Sequence, residues 1–209
     1  MKKDISNING LDYDFTIIGT GFAGITLAIA LSKKGKKVLL LEAGGYEFSD
    51  KSHKVYEGKI IGSYPKNYLT SRRARFFGGT SNIWGGWCRP LDEIDFEKWP
   101  INKTDLDPYL LEACQMLKIK SEFNKDKKID NDFSQIQFQF SLPPVKFAKE
   151  YKKFIEQSNL IDVALNSYVL SIRENLESNI SGAAGHLEVS NENFKIHKIK
   201  INKVIVACG

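Results

Sequence analysis

Long apolar runs are missing from this chain of 209 residues. No stretch approaches the roughly 18 uninterrupted apolar residues that a membrane-crossing helix needs. The start, MKKDISNINGLDYDF, has two lysines but no apolar core of the kind a secretory leader requires. These absences predict a soluble, unexported protein with no membrane segment. Cysteine is scarce as well: Cys88, Cys114 and Cys208 are widely and unevenly spaced, their total is odd, and no C-x-x-C occurs. That argues against a disulfide framework and fits reduced thiols in a cytoplasmic protein. No metal site is expected. Histidine is equally sparse, with His53, His186 and His197 the whole supply.

The composition is 42% hydrophobic and 26% charged, which excludes a disordered chain, and the length holds one substantial domain or one and a half small ones. A net charge of +5 comes from scattered lysines and short groups such as Lys33, Lys34, Lys36 and Lys37, with acidic residues interleaved. Without a helix-turn-helix, zinc-finger or aromatic-basic strand pattern, this charge reads as solvated surface, and no nucleic-acid partner is expected.

Asp14 to Glu42 is the clearest unit. Phe15 to Ile18 is β-prone, Ile25 to Leu31 reads as a helix ended by Gly35, and Val38 to Leu41 is an apolar run suited to a buried strand. Between the first strand and the helix lies Gly19-Thr-Gly21-Phe22-Ala23-Gly24. In this strand-to-helix context the glycines permit a tight turn, close approach of a pyrophosphate and close packing of helix on strand. Glu42 follows 18 residues after Gly24. A carboxylate at that place accepts hydrogen bonds from ribose hydroxyls and disfavours a 2′-phosphate.

A second glycine-rich block lies roughly 55 residues further on, in RARFFGGTSNIWGGWCRPLDEIDF. Gly78-Gly79 and Gly85-Gly86 let main chain approach a flat ring and phosphates, and Thr80, Ser81 and Asn82 supply short polar groups. Arg72, Arg73 and Arg75 stand beside it and could face cofactor phosphates. Trp84 could pack near a bound ring or belong to a core. Two glycine blocks suggest a cofactor embraced at both ends, which favours FAD over NAD.

Elsewhere, Ala43 to Leu69 reads as an irregular excursion. Asp105 to Leu117 reads as a helix with Asp105 or Asp107 as its cap, and Lys118 to Pro144 as polar chain holding one strand, in QIQFQF. Lys146 to Ser158 reads as an amphipathic helix with Phe147, Tyr151, Phe154 and Ile155 on one face. Three β-like runs follow, Ile161 to Arg173, Gly185 to Ser190 and Phe194 to Ile201, and then Lys203-Val-Ile-Val-Ala-Cys-Gly209, an apolar strand running into a small-residue turn.

GTGFAG, LLLEAGG, RFFGGTSNIWGGWCRPLDEIDF and the closing VIVACG together resemble the glucose-methanol-choline (GMC) oxidoreductases, FAD-dependent enzymes acting on alcohols and sugars. The match is strong over Asp14 to Leu117, reasonable over Leu160 to Gly209 and poor between. It implies that Gly78 to Gly86 wraps the flavin side of FAD, and that Val169 offers main-chain groups to the adenine edge. Some relatives tether FAD through a histidine at the position of Ile83, so isoleucine there implies a non-covalent flavin. Trp84, where other members carry asparagine, places the chain nearer the sugar-acting branches.

The expected cofactor-binding set is Gly19, Gly21, Phe22, Ala23, Gly24, Glu42, Ala43, Arg75, Gly78, Gly79, Thr80, Ser81, Asn82, Trp84, Gly85, Gly86, Val169, Ala207 and Gly209. The expected fold is α/β: a Rossmann-like FAD-binding domain with a central parallel sheet and a small antiparallel β-layer, incomplete at the C-terminus. That domain spans 1–209, interrupted around 118–160 by a segment assignable to a substrate domain. The resemblance implies hydride transfer from a CH–OH group to flavin, with a histidine base paired to a second histidine or an asparagine. Those residues are expected beyond Gly209, because none of the three histidines sits in a matching motif. The chain therefore reads as an N-terminal fragment with a small-molecule alcohol or sugar as its substrate. Two alternatives stand beside this reading: a stand-alone FAD or dinucleotide module working with a partner polypeptide, and an NAD-dependent dehydrogenase.

Overall fold

The computed structural model describes residues 2–123, 126–174 and 185–209. Contacts divide the chain into two units, Met1–Ile83 with Lys146–Gly209, and an inserted stretch Trp84–Val145. In the first unit the labelled strands are β1 (Lys2–Lys3), β2 (Phe15–Ile18), β3 (Val38–Leu41), β4 (Ile161–Ala164), β5 (Tyr168–Arg173), β6 (Gly185–Ser190), β7 (Ile196–Ile201) and β8 (Val204–Val206). Its two long helices are α1 (Phe22–Lys33) and α2 (Phe147–Gln157).

Five strands form a parallel sheet in the order β1-β4-β3-β2-β8. All four residues of β3 are buried, as a central parallel strand requires. Successive side chains of β3 alternate between the two faces of the sheet. Leu39 and Leu41 pack into a core with Ile5, Tyr13, Ile18, Ala164, Leu187, Val189, Ile199 and Ile201. The last four come from a three-stranded antiparallel sheet, β7-β6-β5, which covers that face. Val38 and Leu40 point to the opposite face, the side of α1 and α2.

α1 buries Ile25, Ala28, Ile29 and Ser32, the i, i+3, i+4, i+7 stripe of a helix lying on a sheet. Its end is set by Gly35, whose φ of 73° is left-handed. Gly35 N donates to Ser32 O at 2.9 Å and Lys36 N to Leu31 O at 3.0 Å, the paired bonds of a Schellman stop. α2 buries Phe147 and Ile155. Phe154 is 43% exposed, contrary to the one-face expectation. Positions 147, 151 and 155 are four apart and stack, whereas 154 lies about 100° round the helix from 155.

The structure also corrects other sequence expectations. Ile161 to Arg173 is two strands in two different sheets, parted at Asn166, whose φ is 51°. β1 arises in a lysine pair without any β pattern, because its register is set by pairing with β4. β8 is an edge strand, and Val206 is 63% exposed.

In the inserted unit, helical turns run from Lys103 to Leu117 in three consecutive pieces. Asn102 is the cap, and Asp105 serves as its capping-box partner by accepting from Asn102 N at 2.8 Å, so neither Asp105 nor Asp107 caps the helix start. In place of one strand in QIQFQF, two two-residue strands flank the middle of this stretch: Ser134–Gln135 pairs with Lys127–Lys128, and Gln139–Phe140 pairs with Trp87–Cys88. Arg89 bonds Asp92 and Asp126 at 2.8 Å each, and these carboxylates push its guanidinium pKa further up.

Candidate functional site

The chain leaves β2 toward β3 on one side, and β8 lies on the other, so the carboxyl ends of β2 and β8 form a topological switch point. GTGFAG occupies the end of β2, and Ala207 and Cys208 the end of β8. Ala207 N donates to Ile18 O at 2.8 Å. Gly19 has a φ of 103°, and a β-carbon there would lie 2.4 Å from Ala207 O, so only glycine fits between the two turns. Gly24 is packed in the same way against Gly19 O.

Gly21 differs from its neighbours. An added β-carbon there would meet nothing within 4 Å. Gly21 is the N-cap of α1 and provides no side-chain cap. An uncapped helix start with open space before it suits an anion. Phe22 and Ala23 form the first turn of that helix, and the Phe22 ring meets Phe147 edge-on at 4.7 Å.

The second glycine block meets the first here. Gly79 has a φ of 54°, and a β-carbon on it would stand 3.0 Å from Gly21 Cα. Residues Gly79–Asn82 make one 3-10 turn. Ser81 is buried: its hydroxyl donates to Gly78 O at 2.6 Å and accepts from Phe147 N at 3.0 Å, fixing the turn to the start of α2. Asn82 Nδ2 donates to Phe77 O at 2.9 Å and Gly79 O at 3.0 Å. Both side chains therefore shape the loop, and Thr80 is the exposed one of the three.

Glu42 is 6% exposed at the end of β3. Its Oε1 accepts from Gly44 N at 2.8 Å, and its Oε2 accepts from Thr20 N at 3.2 Å and from the Thr20 hydroxyl. Thr20 Oγ1 in turn accepts from Gly78 N at 3.3 Å. Ala43 is half-buried beside Glu42. Cys208 lies close enough for the Glu42 charge to act on it: burial first, then that charge, raises its thiol pKa. Tyr56 belongs to the same neighbourhood. Burial raises its pKa, Arg75 and Arg73 lower it, and Glu42 and Cys208 raise it.

The Arg75 guanidinium donates to Ser52 Oγ at 2.9 Å and to Ser52 O at 3.3 Å, and lies 4.5 Å over the Tyr168 ring. Val169 packs against the apolar core while its strand, β5, is the edge of its sheet, leaving alternate main-chain groups outside the ladder. Gly209 has a φ of 77° and no neighbour within 4 Å of an added β-carbon.

Trp84, Gly85 and Gly86 belong to the inserted unit. Trp84 Nε1 donates to Val145 O at 2.9 Å. Gly86 approaches Ser141, whose N donates to Gly86 O at 2.8 Å. His53 Nε2 bonds Thr70 O at 2.7 Å and its ring meets that of Tyr56 edge-on at 5.4 Å, whereas His186 and His197 are strand residues of β6 and β7. Among the described residues, no cluster of side chains that could hold a metal occurs.

Residues 17–58 match the NAD(P)-binding Rossmann-like domain. Glucose oxidase of Penicillium chrysogenum is 35% identical over 116 residues, 47% of this chain and 19% of that enzyme. The oxygen-dependent choline dehydrogenase of Rhizobium etli is 34% identical over 102 residues, 41% of this chain and 19% of that enzyme. The chain is similar to these two GMC oxidoreductases over a segment that makes up 19% of each of them. GMC oxidoreductases bind FAD. Two solved structures share the fold over 94% of this chain, each with a TM-score of 0.58: pyridoxine 4-oxidase from Mesorbium loti, at 17% identity, and a fungal aryl-alcohol oxidase, at 14%. The chain spans 49% and 46% of their respective lengths.

Thr20 and Tyr56 were not singled out from sequence. Thr20 occupies a variable position of the glycine fingerprint, and only the fold shows its hydroxyl between Glu42 and Gly78. Tyr56 lies in an excursion without periodicity, where no pattern marks one aromatic ring over another.

Proposed function

We propose that this chain holds FAD non-covalently, as part of an oxidoreductase acting on the CH–OH group of an alcohol or sugar. The observation that carries this reading is the meeting of two glycine blocks at the switch point, Gly79 against Gly21, with Gly21 facing open space. A plain dinucleotide fingerprint accounts for Gly19 to Gly24 alone. The second block, and similarity to glucose oxidase and choline dehydrogenase, support FAD.

The open Gly21 turn and the α1 start would take the pyrophosphate, Glu42 a ribose hydroxyl, and the free edge of β5 at Val169 the adenine. Gly78, Gly79 and Thr80 would line the way toward the flavin. When bound, FAD supplies a hydride acceptor. Ile83 offers no nucleophilic nitrogen for a covalent tether. The proton acceptor for the substrate hydroxyl is proposed to lie outside the described residues, since His53 Nε2 donates to Thr70 O while its Nδ1, the ring's acceptor nitrogen, is buried, and His186 and His197 stand in a sheet. On this reading the chain is the cofactor-binding portion of a longer catalytic assembly. The three free thiols support a reducing, cytoplasmic setting.

The test is purification followed by denaturation and filtration. A yellow protein that releases FAD into the filtrate agrees with the proposal. A colourless protein that takes up NAD and refuses FAD contradicts it.

A further inference from the structure

The hydrogen-bond inventory around Glu42 carries more than a generic ribose contact. A carboxylate offers about four lone-pair sites. Three are occupied, by Thr20 N, the Thr20 hydroxyl and Gly44 N. The site left is on Oε1, where a ribose hydroxyl would donate. The Thr20 hydroxyl gives its one proton to Glu42 and receives Gly78 N–H on a lone pair. Thr20 is 0% exposed, so water does not compete for either bond.

We propose that Thr20 is a positioning residue: its hydroxyl fixes how Glu42 meets the adenosine ribose and ties that placement to the backbone of the second glycine block. This rests on the FAD reading above. Thr20 touches no part of the cofactor on this account. It acts through Glu42 on one side and Gly78 on the other, and so couples the ribose end of the site to the loop that leads toward the flavin. Replacing the hydroxyl by a methyl of similar size leaves Oε2 and Gly78 N–H each one partner short, and frees the carboxylate to turn.

The experiment compares the affinity of the full chain for FAD and for an FAD analogue whose adenosine lacks both the 2′- and 3′-hydroxyls. The wild type is expected to prefer FAD by about tenfold, the worth of one hydrogen bond to a charged group. Thr20→Val is expected to cut this preference to about twofold or less, and Thr20→Ser to restore it. A merely structural role would weaken both ligands equally, so a Thr20→Val protein that keeps the full preference overturns the proposal, as does a wild type that binds both ligands alike. Wild-type protein that binds neither ligand overturns the FAD reading itself, and this proposal with it.

A second measurement uses the wild type alone, in case the valine variant fails to fold. FAD should slow exchange of the Gly78 amide hydrogen several-fold more than the analogue does. Equal slowing by the two ligands would show that Glu42 and Gly78 are not coupled.

Discussion

At Gly21 the chain keeps a side chain out of a space that no described residue fills. Its φ of −72° and ψ of −164° are ordinary for alanine, so Gly21→Ala should change the stability of the ligand-free protein by no more than about 1 kcal/mol. If the space belongs to a pyrophosphate, the same substitution should weaken FAD binding by tenfold or more, since a methyl group then stands where phosphate must approach. Thermal melting and a flavin titration on the one variant separate the two effects. Gly79→Ala behaves differently, because its β-carbon would press on Gly21 Cα from a left-handed φ, and it should lower both stability and binding. The glycines were legible in the sequence because their spacing is itself the signal. The destinations of Ser81, Asn82 and Arg75 were not, since a short polar or charged side chain beside a glycine loop can brace the loop or face a ligand with the same sequence.

Among the elements, β2, α1 and β3 were read within a few residues of their bounds. Continuous apolar residues with a helix stripe between them, punctuated by Gly19 and Gly35, leave little choice of period. β1 and the break at Asn166 were not readable, because both depend on pairing partners more than 150 residues away or on a single left-handed residue. Leu40 is fully buried between Ile17 and Val163, so Leu40→Ala should destabilise the protein by about 2–5 kcal/mol in urea unfolding. That is a large share of a typical domain's stability of about 5–15 kcal/mol. Tyr46 joins the end of β3 to α2, where Lys152 Nζ stands 4.0 Å over its ring. Burial first, and then the charge and hydrogen bond of Glu156, push its pKa up to about 12 from 10.0. The folded state thus favours the neutral phenol. Its contribution is complete below pH 10 and is lost as pH rises toward 12. Tyr46→Phe should flatten the fall of stability with pH in that window, measured by urea unfolding at a series of alkaline pH values.

At the scale of the molecule, the second glycine block straddles the line between two units, with Gly78 to Ile83 in one and Trp84 to Gly86 in the other. The inserted unit runs from Trp84 to Val145, and the Phe147–Gln157 helix belongs with the parallel sheet. Nothing in the local pattern marks Trp84 as a boundary, because the glycines and aromatics on its two sides look alike. Similarity reaches 19% of glucose oxidase and leaves the substrate a matter for experiment. In the function proposed above, the cradle between Gly21, Glu42 and Gly79 holds FAD. Equilibrium titration of the purified, flavin-stripped chain with FAD and with NAD tests it most directly. FAD should bind saturably and stoichiometrically, Gly21→Ala should weaken that binding, and NAD should bind far less tightly. Saturable binding of NAD together with no binding of FAD would contradict it.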